Sequence, residues 1–286
     1  MATILNGKEL AAQSKEIILQ EVEKLVELGH QPGLAVVLVG NNSASQIYVR
    51  NKESDCRECG IYSAMYTLPE ETTERELLAL LDVLNHDRKI HGILVQLPVP
   101  KHIDAQKVIE AIDPMKDVDC FHPINVGYLT QGKQRFAPCT PAGIVRILEH
   151  YGIDLTGKHC VVVGRSNIVG KPMALLMLQK NATVTICHSF TPDLKEQTLR
   201  ADILVSAVGK PGLITADMVK AGSTVIDVAM NRGNDGKLCG DIDYAAVSQK
   251  VGAITPVPGG VGPMTRVMLL ENTLTACCLQ NGMNRF

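Results

Sequence analysis

The chain has no tryptophan and, with six tyrosines and four phenylalanines in 286 residues, an aromatic content of only 3%. That scarcity argues against the stacked aromatic platforms that hold single-stranded nucleic acid or sugars. A dominant charge is missing as well: 28 basic residues stand against 30 acidic ones, the net charge is −2, and no block of like charge interrupts the sequence. Such a balance advertises neither a nucleic acid nor an anionic membrane as partner. No apolar run approaches the roughly 20 residues of a membrane helix. Residues 1–9 run straight into a helical pattern, with neither the apolar core of a secretion signal nor an Arg-rich leader. The nine cysteines are odd in number and lack framework spacing, and Cys160 and Cys187 lie inside apolar runs, which predicts reduced thiols and a cytoplasmic protein. The one C-x-x-C, Cys56 to Cys59, has no second pair and no histidine at finger spacing. It reads as helix packing, and no metal is expected.

What remains is small-molecule chemistry on an α/β frame. A chain of this length accommodates two domains of roughly 120 to 150 residues, each with a sizeable core. Residues 159–178 organise it: the β-branched run Val161 to Val163 ends at Gly164, the polar Arg165-Ser166-Asn167 follows, and Gly170 opens an apolar stretch of helical composition. That order is strand, phosphate loop, helix, in which a helix N-terminus presents unpaired N–H groups to a phosphate. Gly164 permits the tight turn and Gly170 the close approach of helix, strand and ligand. Ser166 stands where the second glycine of G-x-G-x-x-G falls and the last glycine is displaced by one, so an ordinary strand-to-helix turn is the competing reading. The next strand, Ala182 to Ile186, leads to Cys187-His188-Ser189, where an NAD site usually carries an acid on the ribose hydroxyl. No acid is there, while Arg165 and Ser189 suit a 2′-phosphate. The expected cofactor is therefore NADP.

Strands near 160–164, 182–187, 202–206 and 224–228, separated by helices or turns, predict a parallel sheet covered on both faces. Upstream, a helix over 7–29 precedes a buried strand from Leu34 to Val39, then a polar helix from Ser43, its expected cap, to Cys59. Tyr48 and Lys52 are i and i+4 on that helix, just beyond the C-terminal end of a strand, where open α/β sheets bind ligands. A strand over 61–68, a helix over 73–86 capped by Thr72 or Thr73, and a strand at Ile93 to Val95 follow. Pro98 and Pro100 end the last of these, leaving Gln96 at its lip, so Gln96 and Lys52 are expected to line one crevice. A helix over 105–112 meets a turn-rich stretch, 113–123, that reads as the domain boundary. Thr140 and Pro141 are read as cap and first residue of a helix reaching Tyr151. The loop Ile254 to Thr265 mixes fixed prolines with permissive glycines, giving either a stiff ligand-touching backbone or merely a turned connection. A last helix from Pro263, with Val267, Leu270, Leu274 and Cys277 or Cys278 on one face, is expected to return to the first domain.

Tyr48-x-x-x-Lys52, Gly92-Ile-Leu-Val-Gln96-Leu-Pro98, Lys116-Asp-Val-Asp119, Pro138-Cys-Thr-Pro141, the Gly164 to Pro172 loop and Thr255 to Thr265 run in order over nearly the whole chain. Together they resemble the bifunctional methylenetetrahydrofolate dehydrogenase/cyclohydrolase family. The resemblance implies NADP-dependent oxidation of 5,10-methylenetetrahydrofolate to the 5,10-methenyl form and its hydrolysis to 10-formyltetrahydrofolate. It also implies a homodimer, with an N-terminal α/β folate domain (1–121 and 267–286) and a Rossmann-like NADP domain (122–266) flanking the active cleft. Lys52 becomes the catalytic group, with Tyr48 stacking beside the substrate, Gln96 orienting Lys52 and Asp119 holding the pterin amino edge. Val95, Leu97 and the segment Pro258, Gly259, Gly260, Val261 and Gly262 join the folate contacts. Gly164, Arg165, Ser166, Ser189, Thr140 and Met230 form the cofactor set.

Cys120 stands where the family commonly has glycine, Ala229-Met230 replaces Gly-Ile, and Arg266 adds a charge at the domain junction. Physical chemistry fits the roles: a lysine of ordinary pKa about 10.4 is neutral in roughly one molecule in a few thousand at pH 7, so a base at Lys52 needs its proton affinity lowered. Two other readings compete. A shikimate-dehydrogenase-like enzyme acting on a small hydroxy acid needs basic or hydroxyl groups for a carboxylate, whereas Tyr48, Gln96 and Asp119 suit a flat amino-bearing heterocycle. A non-catalytic nucleotide sensor leaves Lys52 without a purpose. A formate-activating ligase is not indicated, since no G-x-x-x-x-G-K-[ST] loop is present.

Overall fold

In a computed structural model, residues 2–233 and 236–285 are described. The N-terminal elements are β1 (Thr3–Ile4), α1 (Gly7–Glu27), β2 (Gly33–Val39), α2 (Ser43–Glu58), β3 (Tyr62–Leu68), α3 (Glu74–His86), β4 (Gly92–Val95), α4 (Ala105–Ala111), α5 (Pro123–Thr130) and α6 (Cys139–His150). The chain continues through β5 (His159–Val163), α7 (Gly170–Gln179), β6 (Thr183–Cys187), α8 (Leu194–Leu199), β7 (Ile203–Ser206), β8 (Thr224–Asp227), β9 (Asn231–Arg232), β10 (Leu238–Cys239), α9 (Tyr244–Val247), β11 (Ala253–Ile254) and α10 (Val261–Gln280). Two compact units result, one of residues 1–12 and 140–265, the other of residues 13–139 and 266–286.

The second unit is built on a three-stranded parallel sheet of order β3-β2-β4. β2 is buried at every residue, as a central parallel strand flanked on both faces must be. Ala35, Val37, Val39, Ile93 and Val95 on one face pack against Leu77, Leu81 and Leu84 of α3 and Val108 of α4. Thr73 and Glu76 close a reciprocal capping box on α3, which choosing between Thr72 and Thr73 left open. α2 is capped by Asn42, whose side chain accepts from the Ser45 N–H, and not by Ser43. The stretch 113–123 belongs to this compact unit, together with α5. Residues 266–286 also belong here, so the final helix does end in the unit that holds β2.

The other unit carries a six-stranded parallel sheet of order β1-β11-β8-β7-β5-β6. Residues 1–12, read from sequence as part of the first domain, instead supply β1 at its edge, with Thr3 level with Ala253. Val161, Val163, Leu204, Val225 and Ile254 form one buried face with Ile214, Val219, Ile242 and Val247. Two helix starts differ from expectation. α6 begins at Cys139, making Thr140 its second residue and Pro141 its third, and α10 begins at Val261, two residues before Pro263. Proline is tolerated at both because the first turn of a helix needs no N–H donors.

Both sheets reverse strand order, the smaller at its central strand β2 and the larger at β5, next to its β6 edge. In one, the chain leaves β2 to pair β3 on one side and β4 on the other; in the other, β5 is flanked by β6 and β7. The C-terminal ends of β2 and β4, and of β5 and β7, thus frame crevices of the kind that bind ligands in open α/β sheets.

Candidate active site

At the crevice of the three-stranded sheet, α2 follows β2 and Gln96 follows β4. Lys52 Nζ donates to Gln96 Oε1 at 2.9 Å, and Gln96 Nε2 donates to the Leu97 carbonyl at 2.8 Å. The second bond fixes the amide: only its oxygen faces Lys52. Gln96 is thus an acceptor and favours the ammonium, a sign that sequence alone leaves open. Burial works the other way and lowers the Lys52 pKa, with Arg266 adding to the fall while Asp119, Cys139 and Cys56 oppose it.

Asp119 reaches the same crevice along a different path. Ile93 N–H donates to the Lys116 carbonyl at 2.8 Å and Asp117 makes a single parallel bridge to Ile93, which ties the chain at 116–117 to β4 just before the turn that carries Asp119. The K-D-V-D motif divides its labour. Lys116 is buried and donates to the Leu84 and Asp87 carbonyls at 3.0 and 2.8 Å, capping the end of α3. Asp117, also buried, accepts from the Phe121 and His122 N–H groups at 3.1 and 2.8 Å and from Asn125 Nδ2 at 2.8 Å. Of the motif's charged side chains only Asp119 is partly exposed. Burial pushes its carboxyl up to about 6, against the pull of Lys52 and a hydrogen bond from the Cys139 thiol. Cys120 next to it adopts φ +62°, the left-handed conformation that favours glycine. Its buried thiol donates to the Phe136 carbonyl at 3.3 Å, so the departure from glycine keeps the backbone geometry.

Tyr48 lies one turn before Lys52, half-buried, its hydroxyl pKa raised by burial and drawn down by Arg266. Arg266 is tied to α2: Nε lies 3.2 Å from Asp55 Oδ2, while Lys15 holds Oδ1 at 3.1 Å. Asp55 is buried, and this bridged carboxylate, like Cys139 and Asp117, was not singled out from the sequence. Val95 is buried in the sheet and Leu97 presents its carbonyl to Gln96. Cys56 on α2 and Cys59 at its C-terminal cap are fully buried free thiols. Among the described residues no group of three or more His, Cys, Asp or Glu side chains is placed to hold a metal ion.

Gly164, Arg165, Ser166, Ser189, Thr140, Met230 and the segment 258–262 all fall in the other unit. Gly164 has φ +124°, and a Cβ there would stand 2.5 Å from the Ala207 carbonyl oxygen after β7; a Cβ on Gly170 would stand 2.2 Å from the Gly164 carbonyl oxygen. Strand, loop and helix therefore meet as closely as a dinucleotide fold requires. Ser166 Oγ accepts from the Val169 and Gly170 N–H groups at 3.1 and 3.3 Å, which stiffens the loop and leaves its O–H to donate. The Gly164 N–H donates to the Cys187 carbonyl, bringing Arg165 beside the end of β6 and Ser189. The Arg165 guanidinium lies 5.5 Å from the ring centre of Phe190, an aromatic that is 79% exposed and that sequence reading passed over. Thr140 does not cap α6; its hydroxyl lies 3.1 Å from that of Thr265. A Cβ on Gly262 would stand 4.0 Å from Met230 Sδ, so these two residues are neighbours.

The loop 255–260 is held from both sides. Thr255 Oγ1 accepts the Asp227 N–H at 2.8 Å, the Lys8 N–H donates to the Gly259 carbonyl at 2.9 Å, and a Cβ on Gly7 would collide with the Gly260 oxygen. Below the nucleotide crevice, Asp227 accepts the Asp241 and Ile242 N–H groups at 2.9 and 3.0 Å. Asp241 in turn accepts from Ser206 Oγ, the Val208, Gly209 and Lys210 N–H groups and Asn231 Nδ2, at 2.7 to 3.3 Å. Two buried carboxylates thereby fix the loop after β7, a signal that the lone acids of Cys239-Gly-Asp-Ile-Asp243 gave no reason to suspect.

Residues 5–119 match the tetrahydrofolate dehydrogenase/cyclohydrolase catalytic domain, and residues 138–281 match the NAD(P)-binding domain of the same family. A bifunctional protein FolD of Ruminiclostridium cellulolyticum is 57% identical over 282 residues, covering 99% of each chain. The bifunctional FolD methylenetetrahydrofolate dehydrogenase/cyclohydrolase structure of Campylobacter jejuni is 51% identical with a TM-score of 0.96, over 99% of this chain and 100% of that one. The Trypanosoma brucei enzyme, solved with NADP and an inhibitor, is 37% identical with a TM-score of 0.94, over 98% of both chains. Thermus thermophilus shikimate 5-dehydrogenase, at 13% identity and a TM-score of 0.53 over 85% of this chain, shares the fold alone. Matched in both domains and along its whole length, the chain belongs to the tetrahydrofolate dehydrogenase/cyclohydrolase family.

Proposed function

We propose that Lys52 is the catalytic base of the second of the two family reactions in this chain: NADP-dependent oxidation of 5,10-methylenetetrahydrofolate to the 5,10-methenyl form, and hydrolysis of that cation to 10-formyltetrahydrofolate. The observation that carries this reading is the Lys52–Gln96 bond at the C-terminal lip of adjacent parallel strands, with Asp119 in the same field. NADP, when bound, accepts the hydride. The residues around the glycine loop fit it: Gly164 and Gly170 let the loop close against neighbouring backbone at the helix N-terminus, where a Cβ would collide, and Arg165 and Ser189 offer charge and hydroxyl for a 2′-phosphate.

Oxidation leaves a carbon cation shared between two nitrogens, so the first step asks for alignment, which Tyr48, Asp119 and the Val95–Leu97 lip provide. Water then attacks that carbon and loses a proton. Lys52 takes it as the neutral amine, a state that burial, Arg266 and the adjacent substrate cation all promote. Gln96 holds the amine nitrogen through its N–H while the lone pair remains open. In the unit that holds the glycine loop, the segment 258–262, with Met230 against it, offers backbone groups to a ligand, and Thr140 completes the cofactor set through Thr265.

A cytosolic homodimer belongs to the same reading. β6 ends the six-stranded sheet and carries Ile186, 40% exposed, on an edge suited to pairing with a second copy. The nine free thiols fit a reducing compartment, and no helix among the described residues is long and apolar enough to cross a membrane.

The test follows NADPH and methenyltetrahydrofolate separately in the wild-type protein and Lys52→Met. Loss of hydrolysis by about 10²-fold or more, with oxidation reduced far less, supports the base role. Equal loss of both activities removes it, and absence of NADPH formation by the wild type removes the oxidation assignment.

A further inference from the structure

Asp119 does not stand on a regular strand; its position depends on a clamp that the mechanism has not used. Asn272, on α10 and 5% exposed, donates through Nδ2 to the Val118 carbonyl at 2.7 Å and to the Ala137 carbonyl at 2.8 Å. Those carbonyls lie on chain segments far apart in sequence, one immediately before Asp119 and the other two residues before Cys139. A primary amide has two hydrogens for two acceptors. Neither a leucine nor a hydroxyl of similar size joins both.

The same seam is stitched twice more. The Cys120 thiol donates to the Phe136 carbonyl at 3.3 Å, and the Cys139 sulfur lies 3.4 Å from the Val118 carbonyl, with its one hydrogen shared between that oxygen and the Asp119 carboxylate. Val118, Cys120, Phe136 and Cys139 are all buried, so no water substitutes for a lost partner. An apolar residue suffices where a helix only packs, as Leu269, Leu270 and Leu274 do on the same helix. An amide at position 272 has the further effect of fixing the direction in which the 118–120 backbone, strained at Cys120, presents its carboxylate.

We propose that Asn272 is a positioning residue for the folate substrate: by joining the Val118 and Ala137 carbonyls it aims the Asp119 carboxylate, with Cys139 as the intermediate contact. The inference rests on the reading of Asp119 as a folate contact, and the experiment separates the two. Asn272→Leu, Asp119→Ala and the double variant are compared by kcat and by KM for methylenetetrahydrofolate, with the Kd for NADP measured by calorimetry. Asp119→Ala raises the folate KM. Asn272→Leu raises it about tenfold, equivalent to about 1.4 kcal/mol, with the NADP Kd unchanged. In the double variant Asn272→Leu adds nothing, because its effect passes through Asp119.

If Asn272→Leu multiplies the KM by the same factor with or without Asp119, or leaves it unchanged while Asp119→Ala raises it, the positioning role is wrong and the Asp119 reading stands. If Asp119→Ala leaves the folate KM unchanged, the Asp119 reading falls and takes the proposal with it. Should Asn272→Leu not fold, Asn272→Ser, which retains one donor, goes through the same cycle and is held to the same outcomes. Cys139→Ser keeps a donor toward Asp119 and is expected to restore most of the KM lost in Cys139→Ala; no such rescue counts against the intermediate contact.

Discussion

Gln96 offers a test in which two substitutions at one atom must act in opposite directions. Its Oε1 accepts from Lys52 Nζ at 2.9 Å, and its orientation is locked by the bond to the Leu97 carbonyl. A hydrogen bond to an ammonium contributes about 1.5 to 3 kcal/mol, and the same contact with a neutral amine about 1 kcal/mol. The difference of roughly 1 kcal/mol favours the protonated lysine and corresponds to a little under one pKa unit. Gln96→Leu therefore lowers the Lys52 pKa by that amount, whereas Gln96→Glu, setting a carboxylate against the ammonium, raises it by about 1 to 3 units. The assay is hydrolysis of methenyltetrahydrofolate supplied directly, so that no hydride step intervenes, as a function of pH with the uncatalysed rate subtracted. The acidic limb is expected to move down by just under one pH unit in Gln96→Leu and upward in Gln96→Glu. Both variants lose the bond to Leu97, so that loss does not account for opposite shifts. Movement of both limbs the same way, or of neither, refutes the reasoning.

Asp241→Ala strips a buried acceptor from its donors after β7 and is expected to lower stability by roughly 3 to 5 kcal/mol in urea unfolding, and to weaken NADP binding. A neutral result on both measures contradicts the bracing described. Stability should also depend on pH in two senses. Asp119 and Asp227 retain protons in the fold up to about 6, against an ordinary 3.8, so the folded chain binds more protons than the unfolded chain between these values and loses stability as pH rises through them. Asp202, Glu58 and Asp217 are held below their ordinary values by hydrogen bonds and lysines, Asp217 at about 2, and their contribution is lost as pH falls below about 4. The urea midpoint is accordingly expected to peak at about pH 4 and to decline toward pH 6, with His91, pushed down to about 4 by burial, offsetting only part of the decline; a steady climb from pH 4 to 6 speaks against it. Finally, Cys120→Gly relieves about 1 kcal/mol of left-handed strain while losing the buried thiol, and stays within roughly 1 kcal/mol of wild type. Cys120→Val, β-branched at φ +62°, is expected to be clearly less stable by thermal unfolding.

The parts of the fold written in local chemistry were legible from sequence. Runs such as Leu34 to Val39 and Val161 to Val163 are apolar at every position because parallel strands are covered on both faces, and their ends fell within a residue or two of expectation. Lys52 and Gln96 were legible for the same reason: each follows a strand whose C-terminal end had to border a crevice. Helix starts were less so. Thr140-Pro141 and Pro263 each drew the boundary toward the proline, although a proline anywhere in the first turn displaces no bond. Asn42 and Ser43 are equally good caps, and nothing local chooses between them. The long-range polar contacts were hidden altogether. Asn272 meets Val118 across 154 positions and Asp241 meets Ser206 across 35, and neither spacing has a period to betray it. Nor does the sequence reveal that β1 joins the sheet containing β11, since two residues carry no pattern.

The paired carboxylates of Asp227 and Asp241 have a dynamic consequence. Loop amides ordinarily trade their hydrogens with solvent quickly, because they lack the ladders that protect strands and helices. Here the N–H groups of Val208, Lys210, Asp241 and Ile242, outside any strand or helix, point at buried anionic oxygens 2.7 to 3.0 Å away. Their exchange should be as slow as that of β5 and β7 themselves. A dinucleotide arriving at this edge of the sheet then meets a loop already ordered, and the entropy of ordering it is spent in folding rather than at each turnover.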